Sequence, residues 1–215
     1  MNEIDSSFGS ISYSQTLFMV ILYVVIGSLS ILANTINIIV FSTNQDLRKT
    51  FAFIIVLDIG EIVNGISYIL TGIGRWTELL LGRFGHPISV FDCFFSRYWP
   101  IPLILGTEIP AIMTILVSAE RIIAVHRPGH YSSIFNYRNK VILIAATIIL
   151  ILLSLFWAGY SASISNRLTS TSHCGIITST GKDFSTFHFI FVPSAYIASF
   201  LSLCFISYLQ KVSFT

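Results

Sequence analysis

The chain has 215 residues, of which 54% are hydrophobic and 14% aromatic, whereas only 10% are charged and the formal net charge is +2. Because about a quarter of the residues in soluble domains are charged, this composition excludes an ordinary soluble globular domain and favours a membrane protein. The few basic residues form no concentrated face of the kind that binds phosphates, so nucleic acid is excluded as a partner and membrane lipid is expected.

Five apolar segments are long enough to cross the hydrocarbon core of a bilayer, which takes about 20 residues of helix. The first of them, TLFMVILYVVIGSLSILANTINIIVF, contains no Asp, Glu, Lys or Arg. The predicted spans cover residues 16–41, about 51–73, about 100–125, 141–160 and about 187–209. The sequence therefore predicts an all-α fold, a multi-span transmembrane helix bundle.

Basic residues indicate how the bundle is oriented. They are denser in the short segments after the first, third and fifth spans, and cytoplasmic loops are typically rich in Lys and Arg. We therefore expect an extracellular tail over residues 1–15, a transmembrane domain over 16–210 and the start of the third cytoplasmic loop over 211–215. The expected location is the plasma membrane, with the amino terminus outside.

Three cysteines allow one disulfide and one free thiol. Cys204 lies inside the fifth span, whereas Cys93 and Cys174 fall in predicted outer segments. Disulfides persist in that oxidising compartment. The sequence predicts a disulfide between Cys93 and Cys174.

One motif follows the third span, at its predicted cytoplasmic end. The stretch ERIIAVHRPGHY, residues 120–131, resembles the Asp-Arg-Tyr box and following loop of rhodopsin-like G-protein-coupled receptors. It departs from that pattern at Ile122, which replaces an aromatic residue, and at Gly129, which replaces the usual Leu. The matching residues are Glu120, Arg121, Ala124, Val125, Pro128 and Tyr131.

Further residues of the chain resemble receptor landmarks in the right order. Asn34 is similar to the first-helix Asn, Glu61 to the buried acid of the second helix, and Pro193 to the fifth-helix proline. Glu in place of Asp at both acidic positions is similar to the nematode chemosensory families of serpentine receptors. The resemblance implies the first five helices of a seven-helix receptor fold and a heterotrimeric G protein as partner. We expect that these five spans alone do not signal, and that Glu61 and Glu108 are exposed to lipid.

The Glu120–Arg121 pair is the expected switch for G-protein coupling. Arg cannot lose its proton, so Arg121 either binds a carboxylate, such as that of the adjacent Glu120, or reaches out of the bundle. In the receptors that the chain resembles, this Arg turns toward the G protein on activation. The alternative is a plain interfacial anchor.

Ionisable residues within the spans are the next candidates, because burying an uncompensated charge in a membrane is costly. Asp58 and Glu61 are three positions apart and share one helix face. With Asn34 they form a predicted intramembrane polar site, in which Glu61 is the better candidate for holding sodium or a proton. Neutral acids that only bond neighbouring helices are the equally weighted alternative.

A ligand cavity is expected in the outer half of the bundle. Glu108 precedes Arg121 by 13 residues, or roughly 20 Å along a helix. In related amine receptors the position of Leu103 carries an Asp, so the resemblance implies a small extracellular ligand or peptide that is not a biogenic amine. Simple packing remains the alternative for each aromatic residue. The candidates are Trp99, Leu103, Thr107, Glu108, His188 and Phe191.

The sequence does not favour an enzyme. It contains no Gly-rich phosphate loop and no His-Glu-x-x-His helix, and its histidines are scattered. No cofactor and no metal site are expected. The alternative function is a multi-span transporter or channel subunit. Two halves of inverted topology, each with a broken helix, would favour that function.

Overall fold

The computed structural model describes residues 13–169 and 171–213. These residues are mostly helical, with one short pair of strands. The elements are α1 (Tyr13–Ser42), α2 (Gln45–Thr50), α3 (Ala52–Leu80), β1 (Ile88–Ser89), α4 (Val90–Phe95), α5 (Pro100–His126), α6 (Pro128–Ile134), α7 (Tyr137–Ser163), β2 (Leu168–Thr169), α8 (Ile176–Ser179) and α9 (Lys182–Ser213).

The predicted all-α, multi-span fold is confirmed. Within the described ranges, α1, α3, α5, α7 and α9 are long and apolar enough to cross a membrane, and they coincide with the five predicted segments. Large apolar side chains cover their outward faces, and Phe156 of α7 is 75% exposed. Monomeric soluble proteins rarely expose contiguous apolar surface of this kind. The five helices are consistent with a multi-pass membrane protein.

Several helices extend beyond the predicted spans. Helix α3 continues from the predicted end near residue 73 to Leu80, and α9 begins at Lys182 instead of about 187. The extra turns of α3 carry Arg75 and Glu78, whose side chains are buried. At the two termini, residues 13–15 of the predicted tail and 211–213 of the predicted loop are helical, whereas 1–12 and 214–215 lie outside the described residues.

Helix α5 lies at the centre of the bundle. It contacts α3, α7 and α9, and α3 in turn contacts α1. Pro100 occupies the first turn of α5, where a missing N–H costs little, so the helix begins at this proline. Where α1 crosses α3, a Cβ added to Gly65 would lie 2.8 Å from the carbonyl oxygen of Gly27. The two backbones therefore meet directly, as small residues allow in membrane helices.

The bundle has two chemically different ends. At one end, here called the disulfide end, β1 pairs antiparallel with β2, with Ile88 opposite Thr169. This ladder places the segment after α7 against the segment that precedes α4. At the opposite end, here called the Arg121 end, α5 finishes against the short helix α6 and near the end of the short helix α2.

Candidate functional site

A buried ion pair forms at the Arg121 end. The Nζ atom of Lys140, in the first turns of α7, lies 2.6 Å from Oε1 of Glu120. Their side chains are 2% and 4% exposed. The same ammonium group donates a 2.6 Å hydrogen bond to the carbonyl oxygen of Thr50 at the end of α2. Lys140 therefore ties α7 to both α5 and α2.

Tyr131 of α6 completes this cluster. Its hydroxyl donates a 2.8 Å hydrogen bond to Oε1 of Glu120. Burial, followed by the hydrogen bond to the Glu120 carboxylate and its negative charge, raises the pKa of Tyr131 to about 12. The phenol thus stays protonated at neutral pH and remains a donor. Glu120, Lys140, Tyr131 and the Thr50 carbonyl are called the Glu120 cluster below.

Arg121 does not pair with Glu120. Its side chain is half-buried, and its guanidinium carbon lies 5.7 Å from the ring centroid of Phe51. Among the described residues no acidic side chain forms an ion pair with Arg121. Of the two arrangements expected for Arg121, the structure does not contain the one in which it binds Glu120, because Lys140 is the buried partner of that carboxylate.

A second polar cluster lies inside the bundle, between α5, α7 and α9. Oε1 of Glu108 accepts a 2.8 Å hydrogen bond from Ser154 and lies 3.1 Å from Nδ1 of His188. The other ring nitrogen of His188 lies 3.1 Å from the hydroxyl of Thr107. Glu108 is 1% exposed, so the expectation that it faces lipid is wrong. Ser154 and His188 both contact Oε1 of this carboxylate within the bundle.

The other ligand candidates do not converge on this cluster. Leu103 packs against the apolar core around Ile104 and Phe184, and Phe191 stacks on Phe187 with ring centroids 5.4 Å apart. Trp99 belongs to the disulfide end instead. The structure thus brings together Thr107, Glu108 and His188 from the predicted set, joined by Ser154.

The predicted intramembrane polar site is dispersed in the structure. Asn34 donates to the backbone oxygen and the hydroxyl of Ser30, and that hydroxyl donates to the backbone oxygen of Glu61 over 3.2 Å. No side-chain hydrogen bond joins Asn34 to either carboxylate in the described part of the chain. Asp58 is 5% exposed, and one of its oxygens has no hydrogen-bond partner there. Ser30 is thus the link between Asn34 and α3.

The predicted disulfide is present. Cys93 and Cys174 are bonded, with their Cα atoms 5.4 Å apart. The indole N–H of Trp99 donates a 3.1 Å hydrogen bond to the carbonyl oxygen of Cys174. Trp99 lies against Gly74 so closely that a Cβ at Gly74 would come within 2.2 Å of the indole ring. Trp99 is therefore a packing residue of the disulfide end.

Charged residues reinforce the same end. Both oxygens of Glu78 accept hydrogen bonds from Arg97, at 2.6 and 3.0 Å, and Arg83 lies 3.2 Å from the first oxygen. Fork-to-fork pairing of this kind is the stronger form of an Arg–carboxylate contact. It joins α3 to the segment between α4 and α5.

Lys140, Tyr131 and Ser154 belong to these clusters although their roles were not predicted. Lys140 lies in the basic segment predicted to follow the third span on the cytoplasmic side, and Tyr131 was singled out only as a match to the motif. Ser154 is an isolated hydroxyl within the apolar run IILILLSLFW, and this isolation was its only sequence signal. Each partnership joins different helices, which sequence spacing does not reveal.

No protein-family model matches the chain, and no curated protein matches its sequence. Within the described residues, no group of three or more His, Cys, Asp or Glu side chains is arranged to hold a metal ion. The features that bear on function are therefore the two buried polar clusters and Arg121.

Proposed function

We propose that the chain is the helical part of a rhodopsin-like G-protein-coupled receptor of chemosensory type, inserted in the plasma membrane with its amino terminus outside. In this proposal the Arg121 end faces the cytoplasm and the disulfide end faces the extracellular side. The receptor binds a small extracellular ligand or peptide and acts on a heterotrimeric G protein.

The observation that carries the proposal is the state of Arg121. It lies in the last turns of α5, half-buried, with no acidic partner among the described residues. The neighbouring carboxylate, Glu120, is occupied by Lys140 and Tyr131. A permanently charged guanidinium that is not bound to an internal carboxylate is available for an acidic or carbonyl-rich partner surface.

Glu108 with its partners Ser154, His188 and Thr107, here called the Glu108 cluster, supports the receptor proposal in a second way. It joins α5, which carries Arg121, to α7 and α9 through buried hydrogen bonds. A ligand that broke these bonds would leave a buried polar group unpaired, which is costly. The positions of α5, α7 and α9 relative to one another would then change to restore its partners. Such a change would be transmitted along α5 to its Arg121 end.

The test is basal guanine-nucleotide exchange on a panel of purified Gα subunits, in membranes that contain the full-length protein. We expect the wild-type protein to accelerate exchange on at least one subunit and Arg121→Ala to return it to the level of empty membranes. Arg127→Ala is the matched control, because Arg127 is exposed and follows α5 directly. Exchange that is equal in wild type and Arg121→Ala contradicts the proposal, provided that both proteins have the same helix content.

A transporter or channel subunit is the second candidate. The Glu108–His188 pair favours it, because ionisable pairs within membrane helices are typical of proton pathways. Proton flux into liposomes that contain the purified chain, abolished in Glu108→Gln, would favour this candidate over the receptor.

A further inference from the structure

A buried cation at the disulfide end has no counter-charge among the described residues. This cation is Arg75 of α3, a residue that is only 4% exposed. Its Nε donates a 3.2 Å hydrogen bond to the carbonyl oxygen of His173, and its guanidinium lies 5.2 Å from the ring centroid of Tyr23. Nη1 of Arg75 is buried and has no hydrogen-bond partner in the described part of the chain. The nearby carboxylate of Glu78 is already paired, by Arg97 and Arg83.

This arrangement is unfavourable as it stands. A buried charge is expensive unless it is both paired and hydrogen-bonded, and a guanidinium cannot relieve the cost by losing its proton. The ring of Tyr23 and one carbonyl oxygen satisfy only part of Arg75. An anion bound next to Arg75 would therefore lower the free energy of the folded protein.

A cavity of about 220 Å³ lies against Arg75. The first turns of α1 line it with Thr16, Met19 and Val20, and Phe84 and His173 line it from the disulfide end. Burial, with the charge of Arg75 as a second cause, lowers the pKa of His173 to about 4. The imidazole is thus neutral at neutral pH, and Arg75 supplies the positive charge of the cavity.

We propose that this cavity binds a small organic anion, namely a carboxylate with a short apolar tail, whose oxygens accept hydrogen bonds from Arg75. The carboxylate supplies the missing counter-charge, and Met19, Val20 and Phe84 surround the tail. The volume is below the range of drug-sized pockets, which indicates a ligand of few atoms. This site is separate from the Glu108 cluster and does not depend on coupling to a G protein.

A carboxylate could reach Arg75 from two sources. One is a free carboxylate from solution. The other is a side chain of the chain's own tail, in which Glu3 and Asp5 precede the described residues and the cavity is lined by the start of α1. We propose the free carboxylate, and the experiment separates the two sources.

The experiment measures binding of hexanoate to the purified full chain in phosphatidylcholine nanodiscs by isothermal titration calorimetry. Hexylamine and hexanol serve as probes of the same length without the negative charge. We expect saturable binding of hexanoate but not of hexylamine or hexanol. The dissociation constant for hexanoate should rise about tenfold or more in Arg75→Gln, as expected for loss of a hydrogen bond between charged groups. Arg83→Gln is the matched control and should bind like wild type, because Arg83 lies on the same end of the bundle but its side chain is 56% exposed.

A second measurement uses only the wild-type chain, in case Arg75→Gln does not fold. A diazirine-bearing hexanoate analogue should, on irradiation, label Met19, Phe84 or His173, and excess hexanoate should suppress the labelling. Labelling confined to the lipid-facing side of the helices would overturn the proposal, as would equal binding of hexanoate and hexylamine. Binding that appears only when Glu3 and Asp5 are replaced by Gln and Asn would also overturn it, because the tail would then be the occupant.

Discussion

The buried Lys140–Glu120 pair gives the sharpest test of how the Arg121 end is held together. Replacing Lys140 by Met keeps an unbranched side chain, shortens it by one atom and removes its charge. Glu120 is then left as a buried carboxylate with Tyr131 as its remaining partner, and the Thr50 carbonyl loses its donor. Removing one member of a buried pair typically costs about 3–5 kcal/mol. We expect Lys140→Met to lower the free energy of unfolding by this amount.

The double variant distinguishes an unpaired charge from lost packing. In the double variant Glu120→Gln, Lys140→Met, this cluster contains no buried charge. The amide oxygen of Gln can still accept the hydrogen bond from Tyr131. We therefore expect the double variant to recover most of the loss, since neutral replacement of a buried pair is often nearly neutral in energy. Because Glu120→Gln alone leaves the Lys140 ammonium unpaired and is also costly, the coupling free energy between the two substitutions should be at least about 2 kcal/mol, at the upper end of the range for contacting residues.

The assay is reversible unfolding of the purified chain by titration with a denaturing detergent, followed by far-ultraviolet circular dichroism. Arg138→Gln is the control, because Arg138 lies two residues earlier on α7 and is exposed. Its replacement should change the unfolding free energy by less than about 0.5 kcal/mol. If Lys140→Met cost no more than Arg138→Gln, or if the two substitutions were additive, the reasoning about a buried charge pair would be refuted.

Two further predictions concern the rest of the bundle. Gly65→Ala should destabilise the chain by about 1–3 kcal/mol, because the added Cβ would lie 2.8 Å from the Gly27 carbonyl oxygen, whereas Gly85→Ala, which has open space around it, should cost much less in the same unfolding assay. The pKa of His173 is about 4 in the folded protein, against 6.5 for an ordinary histidine. Between pH 4 and 6.5 the unfolded state therefore binds more protons than the folded state. The free energy of unfolding should therefore fall as the pH is lowered from about 6.5 to 4, and the fall should be smaller in His173→Gln; a pH profile identical in both proteins would contradict it.

The five long helices could be predicted because each depends on a property of its own segment. An apolar run of about 20 residues is sufficient to indicate a membrane helix. The predicted ends were too early where polar residues continue the helix, as in α3, whose last turns carry Arg75 and Glu78. Those residues are tolerated there because their partners, among them Arg97 and the carbonyl oxygen of His173, come from distant parts of the chain.

The candidate sites could be predicted only in part, for the same reason. The disulfide followed from a count of three cysteines and an expected compartment, so no contact had to be known in advance. For Glu120, in contrast, the sequence offers Arg121 as the adjacent basic residue. Only the fold shows that the buried partner of its carboxylate is Lys140, which is 20 positions away in the chain. Trp99 was assigned to a ligand cavity from its place near α5, whereas its indole faces Gly74 and the Cys174 carbonyl.

The disulfide also makes a closed covalent ring out of a large part of the molecule. Cys93 and Cys174 are 81 positions apart, and the whole of α5, α6 and α7 lies between them. A protease that cuts the exposed stretch at the start of α6, near Pro128, would open the ring without separating the two pieces. The nicked chain would migrate as one species until a reductant was added, so α5 and α7 remain tethered even when the backbone between them is broken.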